Sequence, residues 1–239
     1  MSISIAIVED EKNYNNALKK VIKGENIRLS ELRDIALGEK KPSFKELPLF
    51  ELPGLNFSQN EACQKIAAAQ DFAIVHGPPG TGKTTTLIAA IRQAVERGQS
   101  ILVTAPSNAA VDLLVEKLVD SGISTLRLGH PARVEEKILN QTLDAKIAFH
   151  DSYRDLKKLR KETESYLRLA KQYKRSFGPE ERAQRKLMYQ EVSRIREAAE
   201  HLEDYIRTDI YQRTQVFAST LVGSSSHHLK GMVFDIVFI

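Results

Sequence analysis

Residues 72–90 pass from a short apolar run, Phe72-Ala73-Ile74-Val75-His76, through a glycine-rich turn into Lys83-Thr84 and an amphipathic tail. Gly77 to Thr84 fits the pattern G-x-x-x-x-G-K-[ST] in full, with Gly77, Gly82, Lys83 and Thr84 at its defining positions. Glycine permits backbone angles that aim successive N–H groups at one point, which makes a nest for an anion. A helix starting just behind the turn adds partial positive charge at the same place. A preceding strand and a following helix are the context expected to confirm the pattern. Residues 72–76 and Thr84 to about Arg97 supply both, and Gly98 closes the helix. Pro78, Pro79, Gly80, Thr81 and Thr85 complete the candidate loop. Lys83 is placed to reach the β- and γ-phosphates, and Thr84 to offer its hydroxyl to Mg²⁺. The chain is expected to bind a nucleoside triphosphate.

The flanking sequence extends this into a fold. Ser58 is suited to cap a helix from Gln59 to about Ala69, with Glu61 closing a capping box. Ser100 to Ala105 is a continuous apolar run, as expected of a strand covered on both faces of a parallel sheet. Pro106-Ser107-Asn108 breaks it, and Ala109 to Asp120 reads as a helix with Val111, Leu114, Val115 and Leu118 inward. Thr125 to Leu128, Gln215 to Thr220 and Phe234 to Ile239 are further strands. Strands alternating with helices at this spacing predict a doubly wound α/β fold, a parallel phosphate-loop NTPase sheet with helices on both faces. Asp235 stands at the beginning of the last strand, facing away from the loop, and is not assigned to the metal. Upstream, Ile3 to Val8 alternates like a strand, and Asp10 to Ile22 reads as a helix. Ser30 is suited to cap a short helix ending at Gly38. Lys40 to Pro53, with three prolines, reads as a linker or extended arm.

From Asp151 to Tyr211 the character changes. Leu156, Leu159, Thr163, Tyr166, Ala170 and Tyr173 recur at steps of three and four. After Ser176-Phe177-Gly178-Pro179 the rhythm returns in Met188, Val192, Ile195, Ala199, Leu202 and Ile206. Two such stripes around a Gly-Pro turn predict an antiparallel helical hairpin inserted into the α/β domain. The net charge of +4 gains meaning here. Residues 151–215 hold 16 Lys and Arg against 12 Asp and Glu, so that segment carries the whole excess. A polyanionic partner for the hairpin and a merely solvated basic face both fit. One cysteine, Cys63, excludes an internal disulfide and suits a reducing compartment. The N-terminus lacks a basic leader and the apolar length of a membrane span, so a cytoplasmic protein is expected.

Ordered motifs narrow the family. Leu55 to Gln59, Gly77 to Thr85, Ala105 to Asp112, Ser219 to Ser224 and Phe234 to Ile239 resemble superfamily 1 helicases of the up-frameshift-like group. Arg127 to Arg133 and Thr142 to Ala145 look most like its immunoglobulin-mu-binding-protein branch and bacterial relatives. The resemblance spans roughly residues 55–239. It implies that Gln59 recognises the adenine of ATP through its amide, and that Lys83 and Thr84 serve phosphate and Mg²⁺. It implies that Pro106, Ser107 and Asn108 touch a nucleic-acid backbone, with Thr220 and Ser224 in a second such loop beside Gly223. The Pro106 loop also reads as a capping turn, and both roles can hold together. His130 and Arg133 read as structural, and His227 and His228 as a polar loop.

The stripes and the resemblance together divide the chain into residues 1–54, a barrel remnant with stalk helices and linker; residues 55–150 and 212–239, a RecA-like ATP-binding motor domain that is incomplete; and residues 151–211, the inserted hairpin. The resemblance implies an ATP-dependent helicase acting on single-stranded DNA or RNA as a monomer, with no membrane partner. Such helicases carry a second RecA-like domain and a Walker B acidic pair, which is expected just beyond Ile239. The chain is therefore expected to be a fragment that binds ATP with Mg²⁺ and does not hydrolyse it efficiently. Two other readings start from the same loop. One is a nucleotide-binding regulator whose hairpin docks a protein. The other is a small-molecule kinase, against which the Pro106-Ser107-Asn108 loop and the long hairpin both weigh.

Overall fold

The structure, a computed structural model, describes residues 19–24, 26–171 and 178–239. The expected strand at Ile3 to Val8 and most of the expected helix from Asp10 lie outside the described residues. The chain divides into two compact units. One holds the residues up to Thr142 together with Thr214–Ile239, and the other is Leu143–Arg213.

Among the described residues, the first unit is built on four parallel strands: β1 (Ile101–Ala105), β2 (Thr125–Arg127), β3 (Val216–Thr220) and β4 (Ile236–Phe238). Their order across the sheet is β2-β3-β1-β4. Every residue of β1 is buried, as its unbroken apolar run requires. Ile101, Val103 and Val216 share a core with Ile88, Ile91 and Ala94 of the helix Lys83–Glu96 and with Leu118 of the helix Asn108–Asp120. On the opposite face, Phe217 meets Phe234 edge-on, with ring centroids 5.6 Å apart.

Among the described residues this unit includes the helices α1 (Ile27–Ala36), α2 (Phe57–Ala68), α3 (Lys83–Glu96) and α4 (Asn108–Asp120). Two caps differ from expectation. Helix α1 is capped by Asn26, whose side chain accepts from the N–H groups of Arg28 and Leu29. Ser30 lies inside the helix and donates back to the Asn26 carbonyl. Helix α2 is capped by Asn56, with Gln59 closing the box, whereas Ser58 is one residue inside. In each case an asparagine lies upstream of the serine, and the earlier cap lengthens the helix. Gly38 and Gly98 end α1 and α3 as expected, with φ of 79° and 72°.

The expected strand at residues 72–76 is not one. The segment belongs to no sheet, and Ile74 is 92% exposed. A strand is defined by a hydrogen-bonded neighbour. Between this segment and β4 lies instead a cavity of about 360 Å³, lined by Ala73, Val75, Leu87, Ile236 and Val237 among others. The apolar sequence is present; the pairing partner is not.

Residues 40–53 form an arm pinned along α2. Lys45 N–H donates to the Ala68 carbonyl at 2.8 Å and Gln70 N–H to the Ser43 carbonyl at 2.9 Å. Asp71 accepts from the backbone and hydroxyl of Ser43 at 2.7 and 2.6 Å and pairs with Arg28 at 2.6 Å. Phe50, Leu52 and Leu55 then pack against the main core.

The second unit contains α5 (Leu143–Phe149), α6 (Tyr153–Lys171) and α7 (Pro179–Arg213). Helix α7 opens on Pro179 with Glu180 and Glu181 in its first turn, a favourable start in both backbone angle and dipole. At 35 residues it is about 50 Å long. His150 pairs with Asp209 and Arg160 with Glu203, so α6 and its approach run opposite to α7. Leu156, Ala170, Val192, Ile195, Ala199 and Ile206 are buried, as the stripes require. Tyr166 of the same stripe is 38% exposed, and Tyr173 lies outside the described residues. Among the described residues, no helix is long and apolar enough to cross a membrane.

Candidate nucleotide and nucleic-acid site

The phosphate loop takes its shape from two glycines in left-handed conformation, Gly80 and Gly82, with φ of 82° and 80°. Gly82 is the N-cap of α3 and provides no side-chain cap. The first N–H groups of α3 therefore keep their donors for something outside the helix. A Cβ at Gly82 would lie 2.6 Å from Gln59 Nε2, so glycine there also admits the neighbouring side chain. Thr81 braces the loop through its hydroxyl, which donates to the Pro78 carbonyl at 2.8 Å. Lys83 Nζ reaches back over the loop and donates to the Gly77 and Pro78 carbonyls at 2.7 and 2.8 Å. A phosphate competes for that ammonium with full negative charge against two neutral carbonyls. Lys83 and Thr84 both line the cavity beside β4. The donor-rich loop, its cation and the adjacent hydroxyl fit a triphosphate with a divalent ion.

Gln59 is joined to this loop from α2. Its Oε1 accepts from Asn56 N–H at 3.0 Å and its Nε2 donates to the Thr81 carbonyl at 3.3 Å. One amide thus closes the helix start and steadies the loop.

The other candidate loops leave adjacent strands. Ala105 of β1 stands in register with Thr220 of β3, and Leu221 N–H donates to the Ala105 carbonyl at 3.0 Å. Pro106-Ser107-Asn108 and residues 221–225 are therefore neighbours beyond the carboxyl ends of two parallel strands. Ligands of open α/β sheets characteristically bind at that edge. Ser107 caps α4, accepting from Ala110 N–H at 3.2 Å, so the capping turn is real. Thr220 Oγ1 accepts from Gly223 N–H at 3.0 Å. Ser224 is 8% exposed and donates to the Leu221 carbonyl at 2.7 Å, which braces the second loop from within.

At the opposite end of the sheet, Asp235 accepts from the N–H and hydroxyl of Ser100, both at 2.8 Å. The backbone bond first, then the hydroxyl, hold its carboxyl below the usual aspartate range. It ties the start of β4 to the start of β1, and it also lines the cavity that Lys83 and Thr84 border.

The family model described as an AAA domain matches residues 54–239. The chain belongs to this family. Within it the chain groups with superfamily 1 helicases of the up-frameshift-like group. DNA-binding protein SMUBP-2 of Mus musculus is 38% identical over 218 residues, 87% of this chain and 21% of that protein. DNA polymerase alpha-associated DNA helicase A of Schizosaccharomyces pombe is 37% identical over 185 residues, 77% of this chain and 27% of that protein. An ATP-dependent helicase of Methanocaldococcus jannaschii is 27% identical over 232 residues, 84% of this chain and 35% of that protein. The chain thus spans between 21% and 35% of the length of these relatives.

Reading the sequence of this helicase-family chain gave no role to Arg127 or Asp112, although both lie in its motif stretches. Their side chains are 1% exposed and meet at 2.8 Å between Nε and Oδ1. Charged residues inside an otherwise buried strand and an otherwise buried helix face were the available signal. His130, by contrast, accepts from Ala132 N–H at 3.2 Å within its own turn, a local structural role.

Proposed function

We propose that this chain is the ATP-binding part of a helicase motor, in which ATP turnover drives movement along single-stranded nucleic acid. Gly77 to Thr85 would hold the phosphates, Lys83 contributing charge and Thr84 a hydroxyl for Mg²⁺, with Gln59 serving the adenine edge. Pro106, Ser107 and Asn108, with Thr220 and Ser224 in the second loop, would meet the nucleic-acid backbone. The observation that carries this reading is the register of Ala105 with Thr220. It sets two polar loops side by side at the sheet edge where bound nucleic acid would feel a change in the motor. Two relatives are named for DNA, which makes DNA the first substrate to test. A second RecA-like domain would complete the ATP site. A reducing, cytoplasmic setting suits the one cysteine, Cys63, which is fully buried.

The test is binding of a fluorescent ATP analogue with Mg²⁺ to wild type and to Lys83→Ala. Loss of the loop's ammonium is expected to weaken binding at least about tenfold, or about 1.4 kcal/mol. Equal affinity would place the nucleotide elsewhere.

A further inference from the structure

We propose that Arg127 is a positioning residue for nucleic-acid contact: its buried guanidinium sets the direction of the Asn108 amide and so makes the Pro106-Ser107-Asn108 loop present donors. This rests on the reading of that loop as a nucleic-acid surface.

Arg127 ends β2, and its guanidinium is held on three sides. Nε donates to Asp112 Oδ1 at 2.8 Å, Nη2 to Asn108 Oδ1 at 2.8 Å, and Nη1 to the Leu128 carbonyl. The other Asp112 oxygen accepts from Glu135 N–H at 3.0 Å. Gly129, with φ of 147°, leaves the space the group needs, since a Cβ there would stand 2.9 Å from Nη1.

A guanidinium has five donors and no acceptor. The atom of Asn108 that faces it must be oxygen, because the reversed amide would set its own N–H groups against a cation. The Nδ2 donors are thereby turned away from Arg127, on a residue that is half-buried. Ser107 spends acceptor capacity on Ala110 N–H and retains a hydroxyl proton. The loop's side chains then offer donors, which suit the acceptor-only oxygens of phosphate. Base edges, which mix donors and acceptors, suit them less. The contact follows the backbone and ignores sequence.

Stability alone is a weak reason for this pair. Replacing a buried ion pair by apolar residues of similar size is often neutral or stabilising. What an apolar pair cannot do is orient an amide.

The experiment measures binding of a labelled thymidine oligonucleotide to the full chain across a salt series. The double variant Arg127→Met with Asp112→Leu fills the space without charge. Affinity is expected to fall about tenfold, as for loss of one well-made hydrogen bond, while ATP-analogue binding stays at the wild-type level. The slope of log affinity against log salt is expected not to change, because neutral donors release no counterions. Arg127→Lys keeps the charge but lacks the rigid fork, and serves if the double variant does not fold. Wild-type affinity in either folded variant, or a loss accompanied by a shallower slope, would overturn the proposal. Asn108→Asp separates the two levels of the argument. It keeps an oxygen toward Arg127 and puts another where the donors were. If it binds as wild type does, the loop reading itself fails. If it loses binding while the Arg127 variants keep theirs, the loop stands and the positioning role falls.

Discussion

Gln59 Nε2 donates to the carbonyl of Thr81 at 3.3 Å, across 22 residues of chain and from a helix the phosphate loop does not belong to. The same amide accepts from Asn56 N–H at 3.0 Å. A residue proposed to read adenine is thus already engaged with the loop that would hold the phosphates. Pairing with a base edge has to compete with both bonds.

Two substitutions at this position separate its roles. Gln59→Ala is expected to cost about 0.5–1.5 kcal/mol of stability, for bonds lost at the helix start, and to weaken ATP more than GTP. Gln59→Glu keeps the acceptor for Asn56 and removes the donor. It is expected to restore the helix-start part of the stability, to lose the bond to the Thr81 carbonyl, and to leave the ATP preference lost. Titration of both nucleotides beside a urea melt measures each part. Equal loss for ATP and GTP in both variants would reduce Gln59 to a brace.

Asp235 predicts a pH dependence. Its carboxyl is held below the aspartate range in the folded chain, so its contribution is fully present above the unfolded value of about 3.9. It is lost as pH falls through the lower folded value. Asp235→Asn is therefore expected to be less stable than wild type at neutral pH, with the gap closing as pH falls below about 4. Urea midpoints at a series of pH values report it. A gap that persists unchanged in acid would assign the effect to shape instead of charge. The side chain is exposed, so the gap is expected to be small.

The basic face of α6 is the third case. Lys157, Lys158 and Lys161 are exposed, whereas Arg160 is paired with Glu203. If the three lysines lie against phosphates, changing all of them to Gln makes the salt slope on a single strand shallower by about 2. An unchanged slope and affinity would take α6 off the nucleic-acid path and favour a protein partner for this unit.

Much of this was legible in the sequence. The helix stripes of α6 and α7 and the buried run of β1 follow from side-chain periodicity and composition, which burial rewards directly. Gly77 to Thr84 stood out because a phosphate loop needs particular residues at particular positions. The caps were less legible. Asn56 and Ser58 can both serve, and the choice depends on which backbone donors come within reach.

What the sequence alone determined was local: which residues bend, which face inward, and which loop can wrap a phosphate. The tertiary structure decided pairing. Residues 72–76 have the apolar sequence of a strand but lie across a cavity from β4, and no composition encodes a neighbour's distance. Arg127 and Asp112 read as two separate charges 15 residues apart; only the packing of β2 against α4 closes them to 2.8 Å, away from water. Local preferences act within a few residues of chain. The Coulomb attraction and hydrogen bonds that join Arg127, Asp112 and Asn108 act through space, and they exist only once the fold has brought the three together.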